Sequence, residues 1–491
     1  MRFWLTLLLA LPVLTSCGRS HGSGPVMVAV IGKPDSLFQQ GVRLPPQAQQ
    51  IRSATREGLV SLDQAGQVVP AIAERWIVTD DGLSYIFRLR DSDWPGSKEA
   101  ITAAEVRQQL RSAIASLRGT SLGLDLAVVR DIRAMTGRVV EVRLDAPMPD
   151  FLCLLAQPEL GIVKGGRGTG PMTLARGKGA DSANALLTAL PPDSRGLPAR
   201  QDWEALARPV AVRVLATGEA VAAFKRGDVD LVLGGSIVDF PLAEAGPLSR
   251  GAVQVDPAIG LLGLVVRRDS GLLADPARRE ALSMAIDRGA LIQAFGISGW
   301  RESSWIVPSE IWPAPPYPAD RWNGASLAAR REVAAARIRG WAGPGREAVL
   351  RIALPRGPGS ELLLSRLTED WGAIGVGVRR AGPGEAADLE LRDTLARYAS
   401  PHWYLNQFNC GLGQGLCAPR ADELVRQSLT ERDPAARDRL LVEAHAALVE
   451  SDIYIPLGAP VRWSLVRGSI RNYLPNAWGV HPLFPLSQPT T

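Results

Sequence analysis

The sequence predicts an α/β protein with more than one sheet, because segments of strand and helix periodicity alternate along nearly all of its 491 residues. Three observations carry this expectation. Met27-Val28-Ala29-Val30-Ile31 is a short apolar run of the kind a buried strand needs. Val212 to Leu233 reads as strand, helix (Glu219 to Arg226) and strand, a βαβ-type unit. Tyr85, Phe87 and Leu89 alternate with polar neighbours, the period-two signature of a half-exposed strand. At 46% hydrophobic and 21% charged, the chain can bury cores for roughly two or three domains.

The elements follow in chain order. Met1-Arg2, an apolar stretch from Phe3 to Val13 and Leu14-Thr15-Ser16-Cys17 make a secretory signal, too short to span a bilayer as a mature helix. Leu14-Thr15-Ser16-Cys17 resembles a bacterial lipobox, which implies that Cys17 becomes the lipidated first residue of the mature protein. That places the chain in the periplasm or on the outer face of the cytoplasmic membrane, anchored by lipid. Residues 1–17 are then signal and lipobox, and 18–25 a flexible tether. Thr102 opens a helix from Ala103 to Ala115, with Glu105 three residues on as a capping box. Val139 to Leu144 is a strand. Helices are expected over Pro276 to Phe295, Ser360 to Ala373 and Ala421 to Val449. Strands are expected at Val349 to Leu354, Val376 to Arg379 and Asp388 to Leu391. No later segment is apolar for long enough to cross a membrane.

Composition excludes several classes of function. The net charge of +5 is spread among mixed signs without a basic stripe, so nucleic acid is not an expected partner. The four histidines, His21, His402, His445 and His481, share no metal-ligand spacing, so no metal is expected. No Walker A loop and no strand-to-helix G-x-G-x-x-G occurs, so no cofactor is expected either. Gly18-Arg19-Ser20-His21-Gly22 matches the G-x-S-x-G pattern, but a cleavage site and a linker flank it where a strand and a helix are required. No catalytic residue is assigned. In an oxidising compartment Cys410 and Cys417 are expected to close a small disulfide loop, while Cys153 in its apolar run reads as a buried small hydrophobe.

Glu57-Gly58-Leu59-Val60-Ser61-Leu62-Asp63, then Val69-Pro70-Ala71-Ile72-Ala73-Glu74-Arg75-Trp76, then Asp80 to Arg90, together resemble the family 5 (dipeptide and oligopeptide) extracytoplasmic solute-binding proteins of ABC importers. The likeness continues at Trp94-Pro95-Gly96, Gly168-Thr169-Gly170-Pro171, Arg278 to Arg288, Trp371 to Val376 and Ile453 to Leu457. The resemblance implies a two-lobe periplasmic-binding-protein-like fold (type II, the large cluster with an extra subdomain). The core of the first lobe would combine 26–44, 166–256 and 457–491, with 45–165 as the extra subdomain and 257–456 as the second lobe. The chain would cross between lobes near Pro257 to Leu261 and near Ile455 to Leu457, making a hinge. The implied function is capture of a peptide or peptide-like solute between closing lobes and delivery to ABC permease subunits, by a monomer that is not an enzyme. A nickel chelate, haem, opine or oligosaccharide is the alternative cargo, because the fold changes ligand by changing pocket residues. A periplasmic hydrolase would need a nucleophile and base that the sequence does not show.

In the family's peptide binders an Ala-Asp-Tyr stretch supplies the aspartate that pairs with the peptide's amino group. Here the matching stretch is Ala396-Arg397-Tyr398. Arg397 therefore reverses the sign of the anchor and implies a ligand with an anionic or blocked end. If the alignment slips by several residues, Asp388 or Asp393 would pair with the amine instead. Backbone groups near Asp393 and Leu395 would pair with an extended ligand in strand fashion. Trp403 and Tyr404 are candidate pocket walls, with core packing as the competing role. Lys33, just after the first strand, lies where the family's cleft begins, or is a solvated turn lysine. Trp300, Trp305 and Trp312 form either an apolar ligand wall or a cap on the second lobe.

Overall fold

The central strand of the first sheet is the run expected near the N-terminus, observed over Val26–Ile31. The computed structural model describes residues 24–135, 137–178, 184–243, 251–313, 321–322, 324–343 and 347–488. The signal, the lipobox with Cys17, and His21 lie outside the described residues. Val26–Ile31 pairs in parallel with both Val210–Leu215 and Leu231–Ser236, and the helix Thr217–Arg226 joins those two. This helix begins two residues earlier than expected and stops where Gly227 takes the left-handed conformation (φ 86°) that terminates helices cheaply. Antiparallel strands complete the seven-stranded sheet: Met172–Arg176 and Ala185–Ala189 on one side, Arg462–Val466 and Val253–Val255 on the other.

A second sheet of five strands runs in the order Gly377–Arg380, Val349–Ala353, Leu389–Leu395, Gly260–Val266 and Tyr454–Gly458. Every residue of Gly260–Val266 is buried, as a central strand covered on both faces requires. Two short segments connect the sheets, 256–259 and 459–461. The second comes a few residues after the expected crossing because Tyr454–Gly458 remains paired to Gly260–Val266. A separate four-stranded antiparallel sheet, Ala73–Val78, Ser84–Leu89, Val139–Leu144 and Val129–Ala134, carries the helix Ala103–Ser116 on one face. Tyr85, Phe87 and Leu89 point into its core, as the alternation required. Thr102 and Glu105 form the capping box, each side chain accepting from the other's backbone N–H.

Two expected helices are each broken in two. Pro276 to Phe295 is interrupted at Ile286 and Asp287. The Asp287 side chain accepts from the Ala290 N–H and starts a second helix, Arg288–Phe295. Ala421 to Val449 becomes Pro419–Ser428 and Pro434–Ser451, because Asp433 caps the second helix and Pro434 cannot continue the first. The strand expected over Asp388 to Leu391 extends to Leu395, which carries it into the region of the candidate site.

Candidate functional site

The C-terminal ends of Val26–Ile31, Leu231–Ser236 and Leu389–Leu395 open onto one cleft of about 1420 Å³ between the two sheets. Ligands of α/β proteins bind outside the carboxyl ends of such strands. The four-stranded subdomain adds the helix Pro46–Thr55 and residues 56–64 and 156–158 to the wall. Gly234, at φ 85°, sits in a bulge of the strand pairing and turns Ser236 to Asp239 toward the opening.

Of the residues expected to bind ligand, Lys33, Asp393, Leu395 and Arg397 line this cleft. Trp403 and Tyr404 do not. Both are fully buried in the core shared by the four-stranded subdomain and the second lobe, packed edge to face with ring centroids 4.9 Å apart. Their helix, Pro401–Asn406, is buried on every side, its polar His402 and Asn406 included, so spacing alone did not separate pocket wall from core. Trp300 hydrogen-bonds the Ala459 carbonyl, and Trp305 and Trp312 pack on the His445 ring; none of the three lines this cleft, while Trp305 and Tyr404 line a separate pocket of about 670 Å³. Cys410 and Cys417 are joined as a disulfide. Cys153 is half-buried, and burial pushes its thiol up to about 11.

Arg397 is not the free cation its sequence position suggested. Its guanidinium grips both carboxylate oxygens of Glu159 (2.9 and 3.0 Å) and donates to Gln157 (2.7 Å). Glu159 is 1% exposed, so the positive charge is matched at close range in a dry setting. The two aspartates that could have replaced it are also engaged. Asp393 accepts from Arg462 at 2.7 Å, and Asp388 accepts from Arg351 at 2.8 and 2.9 Å. Burial raises the Asp388 carboxyl, yet the Arg351 hydrogen bonds outweigh it and hold the group below its usual range. Glu57, another cleft acid, is held by Arg90 (2.7 Å) and Arg195 (2.6 Å).

What remains unmatched is different from what the sequence suggested. Among the described residues, Lys33, Arg56, Arg200 and Arg356 line the cleft with no carboxylate within ion-pair distance. The nearest polar partner of the half-buried Arg56 is the Gln40 amide oxygen at 3.5 Å. Burial without an acidic partner lowers the Arg56 pKa from its ordinary value. Among the described residues two cleft acids, Asp239 and Asp63, have no arginine partner: Asp239 receives the Thr217 hydroxyl, and Asp63 receives the Ala65 and Gln67 N–H groups. Sequence reasoning missed Arg56 and Asp239. The available signals were the glycine pair Gly234-Gly235 at a strand end, and an arginine directly before the Glu57 phrase.

Backbone groups supply the rest of the site. The Ala396 N–H donates to the Ile259 carbonyl (2.8 Å), so even-numbered residues of this strand face Gly260–Val266, and Leu391, Asp393 and Leu395 turn theirs the other way. On that side the neighbouring strand reaches only Leu389 and Glu390. This edge therefore faces the cleft without a strand partner, and of its backbone groups the Asp393 carbonyl accepts from the Arg462 guanidinium at 3.4 Å. A serine–histidine contact does occur, between Ser428 and His402 at 2.8 Å, but it is buried away from the cleft. The Ser428 hydroxyl donates to Val425, so the ring nitrogen is the donor and cannot serve as its base.

Residues 199–411 match the bacterial extracellular solute-binding proteins, family 5, middle region. The chain is 25% identical to the probable di/tripeptide-binding protein 5 of Pseudomonas aeruginosa, over 86% of this chain and 87% of that one. Along this stretch and in its overall alignment the chain is similar to the family 5 solute-binding proteins. Against the glutathione-binding protein GsiB of Escherichia coli K12 this chain is 24% identical over 84% of both chains. Its fold superposes on Haemophilus influenzae OppA in complex with RPPGFSPFR with a TM-score of 0.74, at 16% identity, over 94% of this chain and 98% of that one. At that identity the superposition establishes the shared two-lobe architecture. No helix among the described residues is long and apolar enough to cross a membrane.

Proposed function

We propose that the protein is the extracytoplasmic receptor of an ABC importer and captures a peptide or peptide-like solute in the cleft between its sheets. The strand edge at Leu391, Asp393 and Leu395, which lacks a strand partner and whose Asp393 carbonyl is met only by Arg462 at 3.4 Å, carries this reading, because an extended backbone can add to it as an extra strand. Main-chain pairing holds a peptide without reading its side chains, and the charges on the wall then choose its ends. The unmatched cations, Arg56 foremost, take an anionic group by charge-assisted hydrogen bonds. Asp239 takes a cationic one. Arg397 positions the wall through Glu159 and does not contact the solute as a free charge.

In this reading the first lobe is built on 26–44, 166–256 and the chain beyond the second crossing, and 45–165 is its extra subdomain. The second lobe runs from 257 to that crossing. The segments 256–259 and 459–461 act as a double hinge. Solute stabilises the closed form by contacts made only there, and permease subunits recognise that form. The protein works as a monomer, needs no cofactor, and is held to the membrane through lipidated Cys17. It returns its cargo unchanged.

Native mass spectrometry of protein purified without denaturation tests the reading, with Arg56→Gln and Asp239→Asn alongside. The native chain should carry a peptide-sized adduct, and one or both variants should lose at least about tenfold in affinity for it. A chain that carries nothing and binds no member of a di- and tripeptide library would sink the proposal.

A further inference from the structure

The segment from Arg397 to Asn406 holds the four-stranded subdomain at two points. One is the Arg397–Glu159 pair. The other is Asp125, at the end of the helix Ser121–Asp125, where Oδ1 accepts from the Tyr398 hydroxyl (3.0 Å) and from the Asn406 amide (2.7 Å). Oδ2 has no partner, and Asp125 is 1% exposed. A carboxylate buried with one oxygen unsolvated is costly, while the neutral acid is not. The contact lies in the core that 45–165 and 257–456 share here, and these are the two parts that the proposed opening of the cleft would draw apart.

We propose that closure of the second lobe onto the 45–165 subdomain takes up a proton at Asp125, so that the lobes shut most firmly when this carboxyl is neutral. The inference rests on the two-lobe closing motion proposed above. Burial is the largest cause acting on Asp125 and pushes its pKa up to about 7, against the pull of Asn406, Tyr398 and Arg397. Other ionisable groups surround the contact. Arg397 is matched by Glu159, and Asp150, also raised by burial, acts on Tyr398. His402 on the helix Pro401–Asn406 is held neutral by burial, its pKa lowered to about 4, with Arg437 nearby. Among the described residues, Asp125 alone bridges the two parts through a carboxyl with an unpartnered oxygen. Because the closed form binds this proton more tightly than an open, solvated form, closure is favoured at low pH and weakens as pH rises through about 7. From pH 5 to pH 8 the closed-to-open ratio should fall roughly tenfold to a hundredfold.

Small-angle scattering of the solute-stripped full-length chain at pH 5 and pH 8 reads this directly. The native chain should be more compact at pH 5, and Asp125→Asn, which cannot ionise but keeps an acceptor for Tyr398, should be equally compact at both. Tyr398→Phe removes a hydrogen bond that favours the charged form, so it should move the native transition to higher pH. A native envelope unchanged between the two pH values overturns the proposal, as does a transition that persists in Asp125→Asn or does not move in Tyr398→Phe. Solute retention in the mass spectrometer tests the receptor reading separately, so either can fail without the other.

Discussion

Replacing Glu159 and Arg397 by glutamine, singly and together, measures whether the reversed anchor is really neutralised. Glu159→Gln leaves a guanidinium that is 23% exposed and still donates to Gln157, so solvent and that amide recover part of the loss. The expected destabilisation is about 2 kcal/mol, below the ~3–5 kcal/mol of fully buried pairs. Arg397→Gln strands a carboxylate that is 1% exposed, and about 3 kcal/mol is expected. The double variant removes both charges and should cost little more than the worse single one, which gives a coupling of about 2 kcal/mol. Urea unfolding followed by tryptophan fluorescence reads all four proteins. Single effects that add within ~0.5 kcal/mol would refute the pairing and return Arg397 to the cleft as a free cation. A second readout follows from Glu159→Gln alone: the released guanidinium should tighten binding of an anionic solute at low salt.

Gly359→Ala should hold the lobes apart, because a Cβ there would lie 1.9 Å from the Ile237 carbonyl where the helix Pro358–Gly372 packs on residues 237–239 beside the cleft; solute affinity should fall at least about tenfold, and unchanged affinity would show that this contact plays no part in closure. Replacing Cys410 and Cys417 by serine opens a short loop with a sequence separation of 7 and should cost about 2 kcal/mol in chemical unfolding, with reductant reproducing the effect in the native chain. His445 is buried between Trp305 and Trp312, and burial lowers its pKa to about 4. The unfolded chain therefore binds this proton first, and stability present above pH 6.5 is lost as pH falls toward 4, by up to about 3 kcal/mol. His445→Phe should flatten that part of the acid-unfolding curve, and an unaltered curve would place the sensitivity elsewhere.

Strand and helix identity was legible wherever periodicity is enforced by burial on one face. Tyr85, Phe87 and Leu89 are inward for that reason, and the Thr102–Glu105 cap is a local interaction that needs no tertiary partner. The breaks at Ile286 and Asp433 were less visible. Apolar periodicity carries on through them, and only the aspartate before Arg288 or Pro434 marks the new start. Cleft residues next to strand ends, Lys33, Asp393, Leu395 and Arg397, could be placed because their strands could. Trp403 and Tyr404 could not, since a helix buried on all sides has no polar face to orient it.

Charge at a binding site is a property of pairs, and pairs are set by tertiary contacts that no single position records. Arg397 and Glu159 are separated by 238 residues, Asp393 and Arg462 by 69, and Glu57 and Arg195 by 138. Each arginine read in isolation looks like an anion receptor. Once the pairs are formed, the wall retains Lys33, Arg56, Arg200 and Arg356 without acidic partners among the described residues, so the proposed preference for an anionic group moves from Arg397 to these cations. A long-range pair also ties the cleft wall to a distant element. Arg397 joins the strand edge lining the cleft to Gln157 and Glu159, and Tyr398, one residue on, carries the bond to Asp125. If the strand edge holds solute and the lobes close as proposed, one short segment couples the two, and a proton at Asp125 should then register as a change in affinity at a cleft it does not line.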